Sequence, residues 1–179
     1  KAAEHGVLIR SGEALQGAQR LDTIVLDKTG TITKGQPALT DVVALGAFTE
    51  DELLRLAASA ERGSEHPLGQ AVVAGALAKG LRLTEAMGFE ATTGGGIAAT
   101  IDGRSVRIGN ERFMQDSGID LGGAPGPWVV LAEDGKTPMY VGIDGKIAGL
   151  VAVADTIKDD SVRAIRRLRS LGLEVAMLT

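Results

Sequence analysis

The segment Asp27–Thr31 places an aspartate, a lysine and two threonines around a glycine, and these groups together suit covalent capture of a phosphoryl group. The carboxylate of Asp27 would attack the terminal phosphorus of a nucleotide, and Lys28 would offset the negative charge that develops. Threonine hydroxyls and loop amides would hold the phosphate oxygens. A Mg²⁺ ion bridging the carboxylate and the phosphate completes this chemistry.

The same aspartate also fits a plainer interpretation. Aspartate is common where strands end and turns begin, so Asp27 would then only cap the turn that follows. The preceding run Thr23–Leu26 is short, β-branched and apolar throughout, which is typical of a strand buried on both faces of a parallel sheet. Open α/β sheets bind ligands at the carboxyl ends of such strands, which favours the chemical interpretation.

A second group of candidate residues lies in the middle of the chain. Ser64–Leu68 joins two predicted helices, and the glycine-rich Thr93–Gly96 is followed at Gly109 by Asn110. A histidine beside a carboxylate can donate to the edge of a base, and glycines allow approaches that a Cβ would block. Each signal alone is weak, because loop glycines are frequent and an isolated His66 is more often a surface or core histidine.

Periodicity predicts the helices that position these residues. Thr49 and Glu52 form a capping box before an apolar stripe, which predicts a helix to about Arg62. Pro67 opens a second helix that ends near Gly80.

Hairpin and loop signals follow. The pairs Asp102-Gly103 and Asp144-Gly145 lie between β-favouring residues and predict tight turns of an antiparallel sheet. The stretch 117–127, rich in Gly and Pro, predicts a surface loop, and residues 128–131 begin either a helix or a strand.

The two ends of the chain carry a strand, helix and strand pattern around this middle block. Residues 157–171 have helical periodicity, and residues 173–179 are typical of a second buried parallel strand, ending in the hydroxyl of Thr179. We therefore predict an α/β fold. A Rossmann-like parallel sheet domain, residues 1–37 and 152–179, is interrupted by an inserted α+β domain with an antiparallel sheet, residues 38–151.

Composition excludes several classes of protein. The chain has 179 residues, 44% of them hydrophobic, and a net charge of -4 without a dense basic block, which argues against disorder and against nucleic-acid binding. No cysteine is present, so a disulfide framework and a thiolate metal site are excluded. One short basic cluster has the spacing of the solvent-exposed face of a helix: Arg163, Arg166, Arg167 and Arg169.

These motifs together resemble those of the heavy-metal-transporting P-type ATPases, within the haloacid dehalogenase superfamily. Asp27–Thr31 resembles their phosphorylation signature, and Ser64–Leu68 resembles the nucleotide-domain signature of the heavy-metal class. Thr93–Gly96 with Asn110 resembles the ATP-binding loop and its companion asparagine. Ala154–Asp159 resembles the hinge that returns to the phosphorylation domain. The resemblance covers essentially the whole chain.

The resemblance implies the residues of the phosphorylation site. Asp27 would be the phosphorylated nucleophile, with Lys28, Thr29 and Thr179 as the other catalytic residues, and Asp27 and Thr29 would also bind Mg²⁺. Related phosphatases resemble one another in having a second aspartate where this sequence has Thr29. That acid helps poor leaving groups depart, whereas ADP leaves readily without it, so threonine fits ATP as the phosphoryl donor.

The resemblance also implies a nucleotide site. Glu65 and His66 would orient the adenine of ATP or ADP, Gly94 and Gly96 would let the backbone approach the nucleotide, and Asn110 would hold the site together. The family usually has a further glycine shortly afterwards, and here the sequence departs from it with two alanines, Ala98 and Ala99.

For the whole protein, the resemblance implies an ATPase that exports a heavy metal. The sequence around residues 65–67 is closer to that of the monovalent copper branch of the family. This soluble segment would lie at the cytoplasmic face of the inner membrane, and its partners would be the transmembrane and metal-binding parts of the same polypeptide. The transported ion would not bind here. Residues 1–10 would follow a membrane helix, and the protein would continue past Thr179 into a Gly-Asp hinge and magnesium-binding aspartates.

Two other functions stay open from the sequence. One is a soluble phosphatase of the same superfamily, against which Thr29 argues. The other is a module that binds nucleotide without catalysis.

Overall fold

The structure is a computed structural model. It describes residues 4, 6, 8–9, 11–18, 20–122 and 126–178, with the backbone alone for residues 14, 15 and 127. Helices are interspersed with strands along this part of the chain. Their bounds, in chain order, are α1 Gly12–Ala18, β1 Thr23–Asp27, β2 Thr33–Ala44, α2 Glu50–Glu61, α3 Pro67–Ala78, β3 Met87–Thr92, β4 Gly96–Ile101, β5 Arg104–Gly109, α4 Glu111–Asp116, α5 Gly126–Glu133, β6 Thr137–Ile143, β7 Lys146–Ile157, α6 Ser161–Ser170 and β8 Glu174–Leu178.

The chain divides into two compact units. The terminal unit contains the described residues up to Gly35 and those from Ile157 onwards, and the central unit is Gln36–Thr156. The long strands β2 and β7 carry the chain from one unit to the other. That the two units act as a phosphorylation domain and a nucleotide-binding domain stays a prediction.

In the terminal unit, β1 and β8 pair in parallel, with Asp27 opposite Leu178, so the predicted parallel pairing is confirmed. The predicted burial of these strands is wrong, because Val25 is 62% and Met177 55% exposed. An apolar run predicts a strand, but burial depends on the elements that pack on it.

The helix predicted over residues 157–171 starts later than residue 157. β7 continues to Ile157, Asp160 takes the N-cap position, and α6 begins at Ser161. The four arginines of the basic cluster are exposed on α6, as predicted.

The central unit contains a six-stranded sheet in the order β2-β7-β6-β5-β4-β3. The pairs from β3 to β7 are antiparallel, as predicted. Both predicted turns are confirmed: Asp102 and Asp144 have φ of 51°, and the glycines that follow them also have positive φ. Two consecutive positive φ angles define the type I′ turn that joins β4 to β5 and β6 to β7.

The core of the central unit lies on both faces of this sheet. Along β6, Met139 and Val141 belong to the cluster that includes α2 and α3, whereas Tyr140 belongs to a second cluster with Met114 and Trp128. This alternation follows from the period of two in a strand. Trp128 and Tyr140 stack with their ring centroids 4.4 Å apart.

The predicted helices of the central unit are confirmed. Thr49 caps α2, with its hydroxyl accepting from the Glu52 N–H at 3.2 Å, and Pro67 occupies the first turn of α3. Residues 128–131 are helical, within α5. The predicted loop over 117–127 is wrong at its end, because Gly126 and Pro127 belong to the first turn of α5, where a proline costs no hydrogen bond.

Within the described residues, no helix combines the length and the hydrophobicity that are needed to cross a membrane. The predicted amphipathic piece in residues 1–10 lies largely outside the described residues.

Candidate functional site

The turn Lys28–Ile32 follows directly on β1 and brings three predicted catalytic residues together. Asp27 ends the strand with extended backbone angles. Thr29, at φ -77° and ψ 122°, and Gly30, at φ 76° and ψ -14°, form a type II turn. That turn needs a positive φ at its third residue, which explains the glycine. Thr179 lies outside the described residues.

The Asp27 carboxylate is exposed and makes no capping hydrogen bond. The interpretation of Asp27 as a plain cap is therefore not supported. The buried hydroxyl of Thr33 takes that task instead, since it accepts from the Gly30 N–H at 3.2 Å and donates to the Lys28 carbonyl at 3.1 Å. Sequence reasoning did not single out Thr33 among the threonines of this segment.

The segment that leads into α6 and the first residue of that helix also hold this turn. The ammonium group of Lys158 donates to the Gly30 carbonyl at 2.5 Å, and the Lys158 N–H donates to the Ile32 carbonyl at 2.9 Å. The buried hydroxyl of Ser161 donates to the Ile32 carbonyl at 2.7 Å. Sequence reasoning included Lys158 only as part of the predicted hinge, and it missed Ser161.

A cavity of about 670 Å³ lies in the central unit, within the range of about 300–1,000 Å³ that is typical of small-molecule sites. Its walls come from the corner between α2 and α3, the turn between β3 and β4, and the end of β5. All five residues predicted to bind nucleotide line it: Glu65, His66, Gly94, Gly96 and Asn110.

His66 is exposed and caps α3. Its Nδ1 accepts from the Leu68 N–H at 3.2 Å, and the backbone N–H of His66 donates to the Ser64 hydroxyl at 3.3 Å. A neutral imidazole that accepts at Nδ1 carries its proton on Nε2. His66 therefore has one donor left for a ligand in the cavity.

Asn110 ties the glycine turn to the end of β5. Its Nδ2 donates to the Gly94 carbonyl at 2.8 Å, and its backbone N–H donates to the Gly95 carbonyl at 3.0 Å. Its Oδ1 accepts from the Phe113 N–H at 2.9 Å and so caps α4. Both ends of the side chain are used to hold the wall of the cavity.

The two predicted binding glycines are required for different reasons. Gly94 has a φ of +69°, and a Cβ there would meet nothing. Gly96 pairs with Gly109 across β4 and β5, and a Cβ on Gly96 would meet the Ile108 carbonyl and the Gly109 Cα. Gly96 is thus needed for the close approach of two strands.

The two alanines that depart from the family pattern lie outside the cavity lining. Ala99 is 5% exposed and belongs to the core, and neither Ala98 nor Ala99 lines the cavity.

Glu61 is a cavity residue that sequence reasoning missed. It is only 5% exposed, and burial raises the pKa of its carboxyl, although a hydrogen bond with Ser64 opposes that effect. A Cβ on Gly69 would meet this carboxylate, so the glycine leaves room for it. The signal in the sequence is a carboxylate seven residues after Leu54, on the apolar stripe of α2.

The remaining walls are largely apolar. Phe89, Ile97 and Met139 line the cavity between the polar groups described above. An apolar cavity with a few polar groups suits a flat, weakly polar ring such as a nucleobase.

Comparison with known proteins defines the class. The sequence model of the haloacid dehalogenase-like hydrolases matches residues 21–179. The chain therefore belongs to the haloacid dehalogenase-like hydrolase family.

Within that family, the chain corresponds over its whole length to a segment of heavy-metal P-type ATPases. It is 51% identical over 179 residues to the copper-exporting P-type ATPase of Bacillus subtilis and spans 22% of that protein. It is 49% identical to a copper-transporting P-type ATPase of Rhizobium leguminosarum, of which it spans 21%. The recognised resemblance to P-type ATPases is confirmed.

A solved structure agrees. The crystal structure of a zinc-transporting PIB-type ATPase in its E2.Pi state superposes with a TM-score of 0.90 at 34% identity, over 99% of this chain and 29% of that one. These matches favour neither a soluble phosphatase nor a regulatory nucleotide-binding module. The predicted fold class is likewise confirmed.

Proposed function

We propose that this chain is the ATP-binding and autophosphorylating portion of a heavy-metal-exporting P-type ATPase. The observation that carries the proposal is the exposed carboxylate of Asp27, which ends a parallel strand, caps nothing and begins the phosphorylation signature. In the proposed reaction, a carboxylate oxygen of Asp27 bonds to the γ-phosphorus of ATP while the bond to the bridging β,γ-oxygen breaks. ADP leaves with that electron pair, and water later hydrolyses the aspartyl-phosphate.

The nucleotide binds in the cavity of the central unit. The Nε2–H of His66 donates to the edge of the adenine, and Glu65 accepts from an amine donor of the nucleotide. The cavity also contains the Glu61 carboxyl, which provides a buried partner for the exocyclic amine of adenine. Asn110 keeps the Gly94 turn in place, and that turn borders the nucleotide.

The donor set beside Asp27 fits Mg²⁺. Asp27 offers a carboxylate and Thr29 offers a hydroxyl and a carbonyl, all hard oxygen ligands. Among the described residues, no group of three or more His, Cys, Asp or Glu side chains gathers to hold a metal ion. One carboxylate suits Mg²⁺, which commonly keeps several waters and shares its remaining ligands with a phosphate. When bound, the ion neutralises charge on the transferring phosphoryl group.

The transported ion is copper(I) in this proposal, because the cited sequence relatives are named as copper-exporting or copper-transporting ATPases. The transmembrane and metal-binding parts of the same polypeptide carry that ion. This chain would lie on the cytoplasmic side of the membrane and supply the chemical step.

Labelling of the full-length protein tests the phosphorylation step. ATP labelled at the γ-phosphate should give an acid-stable, hydroxylamine-labile label on the wild type. Asp27→Asn should abolish the label and leave ATP affinity within about twofold, because the nucleotide contacts lie in the central unit. A normal label on the Asn variant would contradict the assignment of Asp27.

The nucleotide site is tested by two substitutions of His66. Asparagine keeps an N-cap acceptor for α3 but has no Nε2–H, whereas alanine loses both. We expect both variants to lose about tenfold in ATP affinity, and only alanine to lower stability, by about 1 kcal/mol. The affinity for ATP is measured by its competition with a fluorescent ADP analogue at equilibrium. An added fluorophore is used because Trp128 does not line the cavity. Unchanged affinity in both variants would remove His66 from the site.

A further inference from the structure

The contacts between the start of α6 and the Lys28–Ile32 turn have a consequence for Asp27. In a planar trans peptide, the carbonyl of one residue and the N–H of the next point in opposite directions. A donor that holds one carbonyl therefore fixes the whole peptide plane. Lys158 holds the carbonyl of Gly30, and Thr33 holds the carbonyl of Lys28 and the N–H of Gly30.

These bonds fix three successive peptide planes of the turn. The plane between Thr29 and Gly30 is the one whose reversal would convert the type II turn into a type I turn. With the Gly30 N–H bound to Thr33, the Thr29 carbonyl must point the opposite way. The Ser161 hydroxyl and the Lys158 N–H then hold the Ile32 carbonyl where the turn ends. These hydrogen bonds together restrain the chain that leaves Asp27.

We propose that Lys158 and Ser161 are positioning residues for phosphorylation. They act on Asp27 through the backbone, by holding the Lys28–Ile32 turn in the conformation in which the carboxylate accepts the phosphoryl group. Neither side chain needs to touch the nucleotide. This inference rests on the proposed function, because it assigns Lys158 and Ser161 a role within the proposed phosphorylation reaction.

The full-length protein provides the test, with Lys158→Met, Lys158→Arg and Ser161→Ala compared with the wild type. A matched control is Lys34→Met, because Lys34 lies just after the same turn and is exposed like Lys158, but it pairs with the Asp159 carboxylate at 3.9 Å and not with a carbonyl of the turn. The measured quantities are the initial rate of hydroxylamine-labile labelling at saturating ATP and the equilibrium affinity for ATP.

Lys158→Met loses a charge-assisted hydrogen bond to the turn and should be labelled about 10- to 100-fold more slowly than the wild type. Ser161→Ala loses a neutral hydrogen bond and should be labelled about 3- to 10-fold more slowly. ATP affinity should stay within about twofold in every variant, because the rate and not the binding depends on the turn. Arginine at 158 keeps a charged donor and should restore most of the rate. The Lys34 control should label as the wild type does.

Hydrogen–deuterium exchange supplies a readout that does not depend on activity. Peptides covering residues 28–33 should exchange faster in Lys158→Met than in the Lys34 control, while peptides of the central unit should be unchanged. A wild-type labelling rate in Lys158→Met would overturn the inference whether or not exchange is faster, as would a fall in ATP affinity equal to the fall in rate. If Lys158→Met proves unstable, with faster exchange throughout, Ser161→Ala alone decides by the same criteria.

The two proposals fail in different ways. A wild-type protein that never forms the hydroxylamine-labile label contradicts the proposed function. In that case exchange in residues 28–33 still shows whether Lys158 holds the turn. A labelled wild type with fully active Lys158 and Ser161 variants contradicts only the positioning role.

Discussion

The central unit arranges its candidate residues around a cavity that buried apolar side chains line, whereas the terminal unit presents Asp27 on an exposed turn held by hydrogen bonds. Val141 in β6 is fully buried, and Val25 in β1 is 62% exposed. The difference matches the two tasks proposed for these units. Recognition of a base needs an enclosed apolar volume, while a carboxylate that receives a phosphoryl group must be accessible to it.

The largest expected effect contrasts two glycines in the cavity wall. Gly96→Ala places a methyl group against backbone atoms that cannot move aside, and it should destabilise the central unit by about 3 kcal/mol. Gly94→Ala meets open space and should cost only about 1 kcal/mol, from its positive φ. Urea denaturation followed by Trp128 fluorescence measures both, because Trp128 stacks inside the central unit. Equal stability of the two variants would contradict the close-packing role of Gly96.

A matched pair of valines tests the comparison of the two units directly. Val141→Thr buries a hydroxyl in the core and should lower the free energy of unfolding by about 2 kcal/mol. Val25→Thr places the same group at an exposed site and should change it by less than about 0.5 kcal/mol. Thermal melting of both variants gives the measurement. A large loss in Val25→Thr would mean that β1 is covered by something that its exposure does not reveal.

The smallest expected effect concerns Glu61 and pH. Its pKa in the folded state is raised by burial, so the protonated form is favoured, and the associated stability is fully present below the ordinary pKa of 4.5. That stability is lost as pH rises through the folded-state pKa. Glu61→Gln removes the ionisation, so its melting temperature should exceed that of the wild type at pH 8, and the two should converge towards pH 4.

The affinity of Glu61→Gln for ATP is the second measurement on this variant. The same variant should bind ATP more weakly, because an amide replaces the carboxyl group proposed to accept from the adenine amine. An unchanged pH dependence of melting would show that Glu61 is not desolvated in the folded protein.

Much of the local structure could be predicted, because it follows from interactions between neighbouring residues. The caps at Thr49 and Pro67 and the turns at Asp102 and Asp144 are set within a few residues, so their sequence patterns suffice. The lining of the cavity was harder to predict, because it depends on contacts between residues that are far apart in the sequence. Glu61 enters the cavity only because α2 packs against α3 and β4.

The sequence by itself determined the class of protein, and it predicted the phosphoacceptor and the nucleotide motifs, because their residue types and spacing are specific. Only the tertiary structure decided that Thr33, Lys158 and Ser161 hold the turn after Asp27. These contacts join residues up to 129 positions apart, and hydroxyl and ammonium donors to a carbonyl leave no periodic trace in a sequence. The burial of strands was also decided by packing, since an apolar run is the same in the printed sequence whether or not another element covers it.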